Sequence, residues 1–185
     1  RPLPMIYCVI SSSSFITRLH SYVSSVQVPM SLLSPNLQSE AIMTYKLAFS
    51  RMAPASKLQQ GDPVWGEFNA SFVNRELETI DIANEIYTGH PFTTWHKNNW
   101  RNAANYQLGQ HIGIDFDTED ERSTLPYLAK DKFIQKYAAL IYTTPSHTPE
   151  TPRARVLFLL DTPIQQGKNY AAAVSALLWL FGTAD

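Results

Sequence analysis

The chain has 185 residues, 44% of them hydrophobic and 17% charged, with a formal net charge of −1. That balance predicts one soluble domain with a real core, and it excludes a protein held to nucleic acid by overall basicity alone. The single cysteine, Cys8, excludes an internal disulfide and a cysteine-built zinc cluster, which fits a reducing, cytoplasmic setting; no apolar run reaches the roughly 18 residues of a membrane span.

Residues 1–42 are rich in Ser and Pro, poor in charge and without sustained periodicity, so they are expected to be poorly structured and outside the core. Met43-Thr44-Tyr45-Lys46 reads as a natural start, and the folded unit is assigned to 43–185. Gly61, Pro63 and Gly66 punctuate a loop, and the segment 68–75 has no clear type. Thr79 is the expected N-cap of a helix over 80–88, with Ile82, Ala83, Ile86 and Tyr87 at helical spacing and Gly89 as its terminator. The polar, aromatic stretch 90–106 has no core-like period and reads as a surface loop.

A strand follows, beginning at Gln110, and then an acidic turn. A helix is expected over 125–136, a strand over 138–143 and a proline-broken loop over 144–152. The apolar strand 153–161 is expected to stop at Thr162-Pro163, and the helix 169–181 at Gly182. This order predicts an α+β fold. The sequence then ends at Asp185, directly after an apolar helix, which reads as a truncation on the C-terminal side.

The strand from Gln110 carries the strongest functional signal. Side chains alternate along an extended backbone, so Ile112, Ile114 and Phe116 share one face and Gly113, Asp115 and Asp117 the other. Two carboxylates about 6–7 Å apart along one strand face repel each other. A hard divalent cation between them would remove that repulsion. The bland alternative is that the pair solvates the exit into the loop Thr118-Glu119-Asp120. Downstream, Arg153 and Arg155 alternate onto one strand face, where they either reach a phosphate-bearing cleft or solvate the strand end. Lys97, Trp100 and Arg101 mix cations and an aromatic ring, which suits stacking on an unpaired base; Trp95 and Trp100 equally suit anchoring under the loop.

Ile114-Asp115-Phe116-Asp117, then Pro145-Ser146-His147, then a later aspartate form an ordered set. With Thr143-Thr144 before the histidine, Pro152-Arg153-Ala154-Arg155-Val156 after it, and Gly89-His90-Pro91-Phe92-Thr93 upstream, this set resembles the archaeo-eukaryotic primase superfamily, in particular its phage and plasmid primase-polymerases. The resemblance spans roughly 80–185. It implies a primase-polymerase core with an RRM-like antiparallel sheet flanked by helices, incomplete at the C-terminus. It also implies a DNA-directed nucleotidyltransferase of phage or mobile-element replication, using two ions of Mg2+ or Mn2+ for phosphoryl transfer. In that pattern Asp115, Asp117 and a third acid hold metal, with Asp185 favoured over Asp161. His147, in one motif with Ser146, meets the nucleotide phosphates there; Arg153 and Arg155 for the phosphates, and Lys97, Trp100 and Arg101 for the strand, are read from their own side-chain chemistry. The implied partners are single-stranded DNA template, nucleoside triphosphates and a replicative helicase. The rival readings are a metal-dependent nuclease or replication-initiator endonuclease, and a non-catalytic nucleic-acid-binding module; the absence of a His-x-His pair lowers the initiator reading.

Overall fold

The strand that carries the aspartates is the spine of the molecule. The computed structural model describes residues 6–8, 43–54 and 58–182. In chain order these form β1 (Ile6–Cys8), β2 (Thr44–Ser50), α1 (Trp65–Ala70), β3 (Phe72–Glu78), α2 (Thr79–Tyr87), β4 (Phe92–Thr93) and β5 (Trp95–His96). After two short 3₁₀ turns come β6 (Tyr106–Phe116), a third such turn, α3 (Leu125–Leu128), α4 (Lys132–Tyr137), β7 (Leu140–Thr143), β8 (Ala154–Ile164) and α5 (Gly167–Phe181). One sheet has the order β1-β7-β8-β6-β5 and the other β3-β2-β4. Every pairing is antiparallel, so the fold is α+β with antiparallel sheets.

The alternation read from the sequence decides how β6 sits. Its even residues Ile112, Ile114 and Phe116 join Ala154, Val156 and Phe158 in a core covered by α3, α4 and α5. On the other face, Leu140, Tyr142 and Leu157 pack with Leu47 and Phe49 of β2, Leu77 of β3 and Ile82 of α2. The large sheet therefore lies between helices and the small sheet. Both of its faces are covered, which is why Gln110 and His111 are buried although polar.

Several boundaries differ from the sequence reading, each for a local reason. Ile6–Cys8 pairs with β7 in register Tyr7↔Ile141, a strand in a segment to which no element was assigned; the rest of 1–42 lies outside the described residues. Thr79 begins α2 rather than capping it, and Glu78 takes the cap position without a side-chain hydrogen bond. Gly89 terminates that helix as expected. Its φ of +85° lets the Gly89 and His90 amides donate back to Ile86 and Glu85 carbonyls. The expected 125–136 helix splits in two, because the Asp131 carboxylate accepts from the Phe133 and Ile134 amides at 2.8 and 2.9 Å and starts α4 afresh. Strand β8 runs past Thr162-Pro163 to Ile164. A register shift between Gly109 and His111 leaves that stretch without one-to-one pairing, where a proline removes no ladder bond. Among the described residues no helix is long and apolar enough to cross a membrane.

Candidate active site

Antiparallel pairing places the end of β6 beside the start of β8, and so sets Asp115, with Asp117 just past its strand, against Arg155, with Arg153 just before its own. Asp115 is the direct cross-strand partner of Arg155, and Arg155 is in turn the partner of Tyr142 on β7. The three residues form one row across three strands. The Arg155 fork closes on Asp115, with Nη2 donating to Oδ2 at 2.6 Å and Nε donating to Oδ1. The arginine stem lies over Gly113, where a Cβ would stand 3.4 Å from Arg155 Cδ, in ordinary van der Waals contact. Burial disfavours the Arg155 charge, but the Asp115 carboxylate outweighs it and holds the guanidinium pKa above its ordinary value.

Arg153 lies one pitch nearer the rim. Its Nη2 donates to Glu119 Oε1 at 2.6 Å, and its Nη1 is 4.0 Å from Asp117 Oδ2. The expectation that the two carboxylates are left to repel each other is therefore corrected: each has an arginine opposite it. Asp117 is the freer of the two, with a side chain 45% exposed and no hydrogen bond from Arg153. The loop beyond is tied down. Ser123, fully buried, accepts from the Thr118 amide at 2.9 Å, and Asp120 accepts from the Arg122 side chain and amide.

His147 comes from the hairpin joining β7 to β8. The Arg153 amide donates to its Nδ1 at 3.1 Å, so the neutral ring carries its proton on Nε2. Ser146 is exposed in the same turn. The His147 amide donates to the Thr144 carbonyl, and the Thr144 amide to that of Arg153, which closes the hairpin. Asp115, Asp117, His147, Arg153 and Arg155 thus meet at one end of the large sheet.

Three other expected residues do not join them. Lys97, Trp100 and Arg101 lie at the opposite end of β6, because His96 pairs with Tyr106. Nine residues of strand, roughly 30 Å, separate Tyr106 from Asp115. Asp161 is also displaced: it lies six residues along β8 from Arg155, about 20 Å, and is exposed there. That distance removes it as the third acid beside Asp115 and Asp117. Asp185 lies outside the described residues.

Two residues of this face were not singled out from the sequence. His111 is in phase with Gly113 and Asp115, is fully enclosed, and has no hydrogen-bond partner for Nδ1. Burial, and then the Arg155 charge, pull its pKa down to about 3. The Tyr142 hydroxyl is likewise buried and meets no partner in hydrogen-bonding geometry, though it lies within the field of Arg155; burial pushes it up to about 12. The period-2 alternation that flagged Asp115 would have flagged His111, two pitches upstream.

Among the described residues no group of three or more His, Cys, Asp or Glu side chains is placed to hold a metal ion. The donor chemistry still fits magnesium or manganese, which take one or two carboxylates and complete their shell with water and substrate phosphates. Asp117 offers such a carboxylate directly, and Asp115 offers one that it shares with Arg155. No protein-family model, curated protein or solved structure matches this chain.

Proposed function

We propose that this sheet end is a nucleotidyl-transfer site, and that the protein is a template-directed primase-polymerase built on the core that its motifs resemble. The observation that carries this reading is convergence. Residues 115, 117, 147, 153 and 155 come from the end of β6 and the loop after it, the β7–β8 hairpin and the start of β8, and they meet with alternating charge at one exposed rim. His147 reaches this rim with its Nδ1 holding the hairpin through the Arg153 amide and its Nε2 left for a ligand.

In this reading Asp115 and Asp117, with Asp185 as third acid, would hold magnesium or manganese, and the ion would supply charge stabilisation for in-line phosphoryl transfer. His147, fixed through Nδ1, presents Nε2–H as a donor to a triphosphate oxygen, with the exposed Ser146 hydroxyl beside it. Arg153 and Arg155 supply cations that can shift between the protein's carboxylates and a phosphate. The substrates are nucleoside triphosphates and a single-stranded DNA template. A replicative helicase is the expected partner in phage or plasmid replication, in the cytoplasm.

The test is an end-labelled primer–template incubated with nucleotides and manganese, using the wild-type chain and Asp115→Ala/Asp117→Ala. Primer lengthening that falls by at least about 100-fold in the double variant is expected, the scale on which charge stabilisation is lost in such sites. A label that shortens instead would replace the polymerase with a metal-dependent nuclease. Equal extension by both proteins would remove the aspartates from the chemistry.

A further inference from the structure

We infer that the cleft at the opposite end of β6 is an anchor for single-stranded nucleic acid, stacking an unpaired base on Trp100 and taking a phosphate on Arg101. The inference rests on the reading that the protein acts on a single strand, but its residues are separate from the aspartate rim.

The cleft has a volume of about 600 Å³ and is lined by Trp65 and Asn69 of α1, His96 of β5, and Trp100, Arg101 and Asn102 among others; no carboxylate lines it. Arg101 is the telling residue. Arg75, Arg122, Arg153 and Arg155 each meet a carboxylate. Arg101, half-buried, meets none within ion-pair distance among the described residues. It is held instead by Asn69, whose Oδ1 accepts from Nη1 at 3.3 Å, and by the Phe72 ring 5.3 Å beneath its guanidinium carbon. A desolvated cation without a counter-ion is costly unless a ligand supplies the anion. Most of its five N–H donors remain for one.

Trp100 stands beside it, 50% exposed. It is not on a loose loop. Asn98 and Asn99 take positive φ in the tight turn before it, the Asn99 carboxamide accepts from the Asn74 amide at 2.9 Å, and the Trp100 amide donates to the Lys97 carbonyl. The ring is held out at the surface by ordered backbone, which lowers the entropy lost on stacking. Lys97, exposed on the same turn, adds a second cation. His96 adds a polar group: its Nδ1–H donates to the Thr94 carbonyl at 2.6 Å, which leaves Nε2 as the acceptor of the neutral ring, and burial lowers its pKa. An exposed ring, an unpaired guanidinium and neutral polar groups are what one nucleotide of a strand requires.

The roughly 30 Å of β6 between Tyr106, at this end, and Asp115 corresponds, at about 3.4 Å per phosphate of a stacked strand, to roughly nine nucleotides. Shorter strands can occupy only one end.

Binding of fluorescently labelled oligo-dT of increasing length, followed by anisotropy, tests the inference. Affinity should rise with length up to about that span. Trp100→Ala and Arg101→Lys should each weaken binding by about tenfold, with unchanged circular dichroism. Trp179→Ala, which removes the far more exposed indole on α5, should bind as wild type. Wild-type affinity in both cleft variants would overturn the anchor, as would an equal loss in Trp179→Ala. Complete displacement of the labelled strand by free dTTP at stoichiometric levels would overturn it in favour of a mononucleotide pocket. Failed primer extension with this binding pattern intact would sink the transferase and leave the anchor standing.

Discussion

Arg155→Met is expected to destabilise the fold by about 2 kcal/mol and, at the same time, to tighten divalent-ion binding. The two effects have one cause. Removing one partner of a fully buried ion pair costs about 3–5 kcal/mol because the other charge is left uncompensated. Asp115 and Arg155 each keep 36% of their side-chain exposure, so solvent screening reduces that figure to about 2 kcal/mol. Met keeps most of the stem that crosses Gly113, so little of the loss comes from packing. The freed Asp115 carboxylate then faces a cation without competition, and added Mn2+ should restore part of the stability by binding the folded state alone. Urea denaturation with and without Mn2+ measures both effects. A loss of stability that the ion does not reverse would make the pair purely structural.

The second large effect is acid sensitivity through His111. In the folded protein this imidazole gains a proton only at about pH 3, whereas in the unfolded chain it does so near 6.5. Between those values the unfolded state binds more protons, so stability rises with pH across that window. The contribution of neutral His111 is fully present above pH 6.5 and is lost as pH falls toward 3, at up to about 1.4 kcal/mol per pH unit. The groups around it give no relief: Arg155 is cationic and Phe92 packs edge-on at 5.2 Å. Stability measured in urea from pH 4 to 7 should therefore fall more steeply for the wild type than for His111→Gln. Parallel curves would place the acid-sensitive group elsewhere.

The alternation around Asp115 could be read from the chain because it is local: a strand covered on both sides by different cores shows its period whatever its partners. The Gly89 terminator was legible for the same reason. The Asp115–Arg155 clamp was not, since it depends on the register between strands forty residues apart, which no local pattern states. Asp161 and Arg155 show this most clearly. Both are charged residues of one strand, and only the register tells which of them reaches the aspartates. The segment 44–50 had a usable signal, with Tyr45, Leu47 and Phe49 in alternation, but the mixed pattern that runs on to Gly61 hid the strand. Trp65 and Asn69 were beyond reach, because a cleft shared with Trp100 and Arg101 exists only once α1 folds against the 97–103 turns.

Mn2+ binding followed by electron paramagnetic resonance, with the wild-type chain beside Asp117→Asn, reads out whether the aspartate rim holds a metal ion. It needs neither template nor nucleotide. Saturable binding is expected that weakens at least tenfold in the variant, with urea stability unchanged, because Asp117 is exposed and accepts no hydrogen bond from Arg153. Equal binding by the two proteins, or a variant that loses stability while its metal affinity stays the same, would contradict a metal site at this rim.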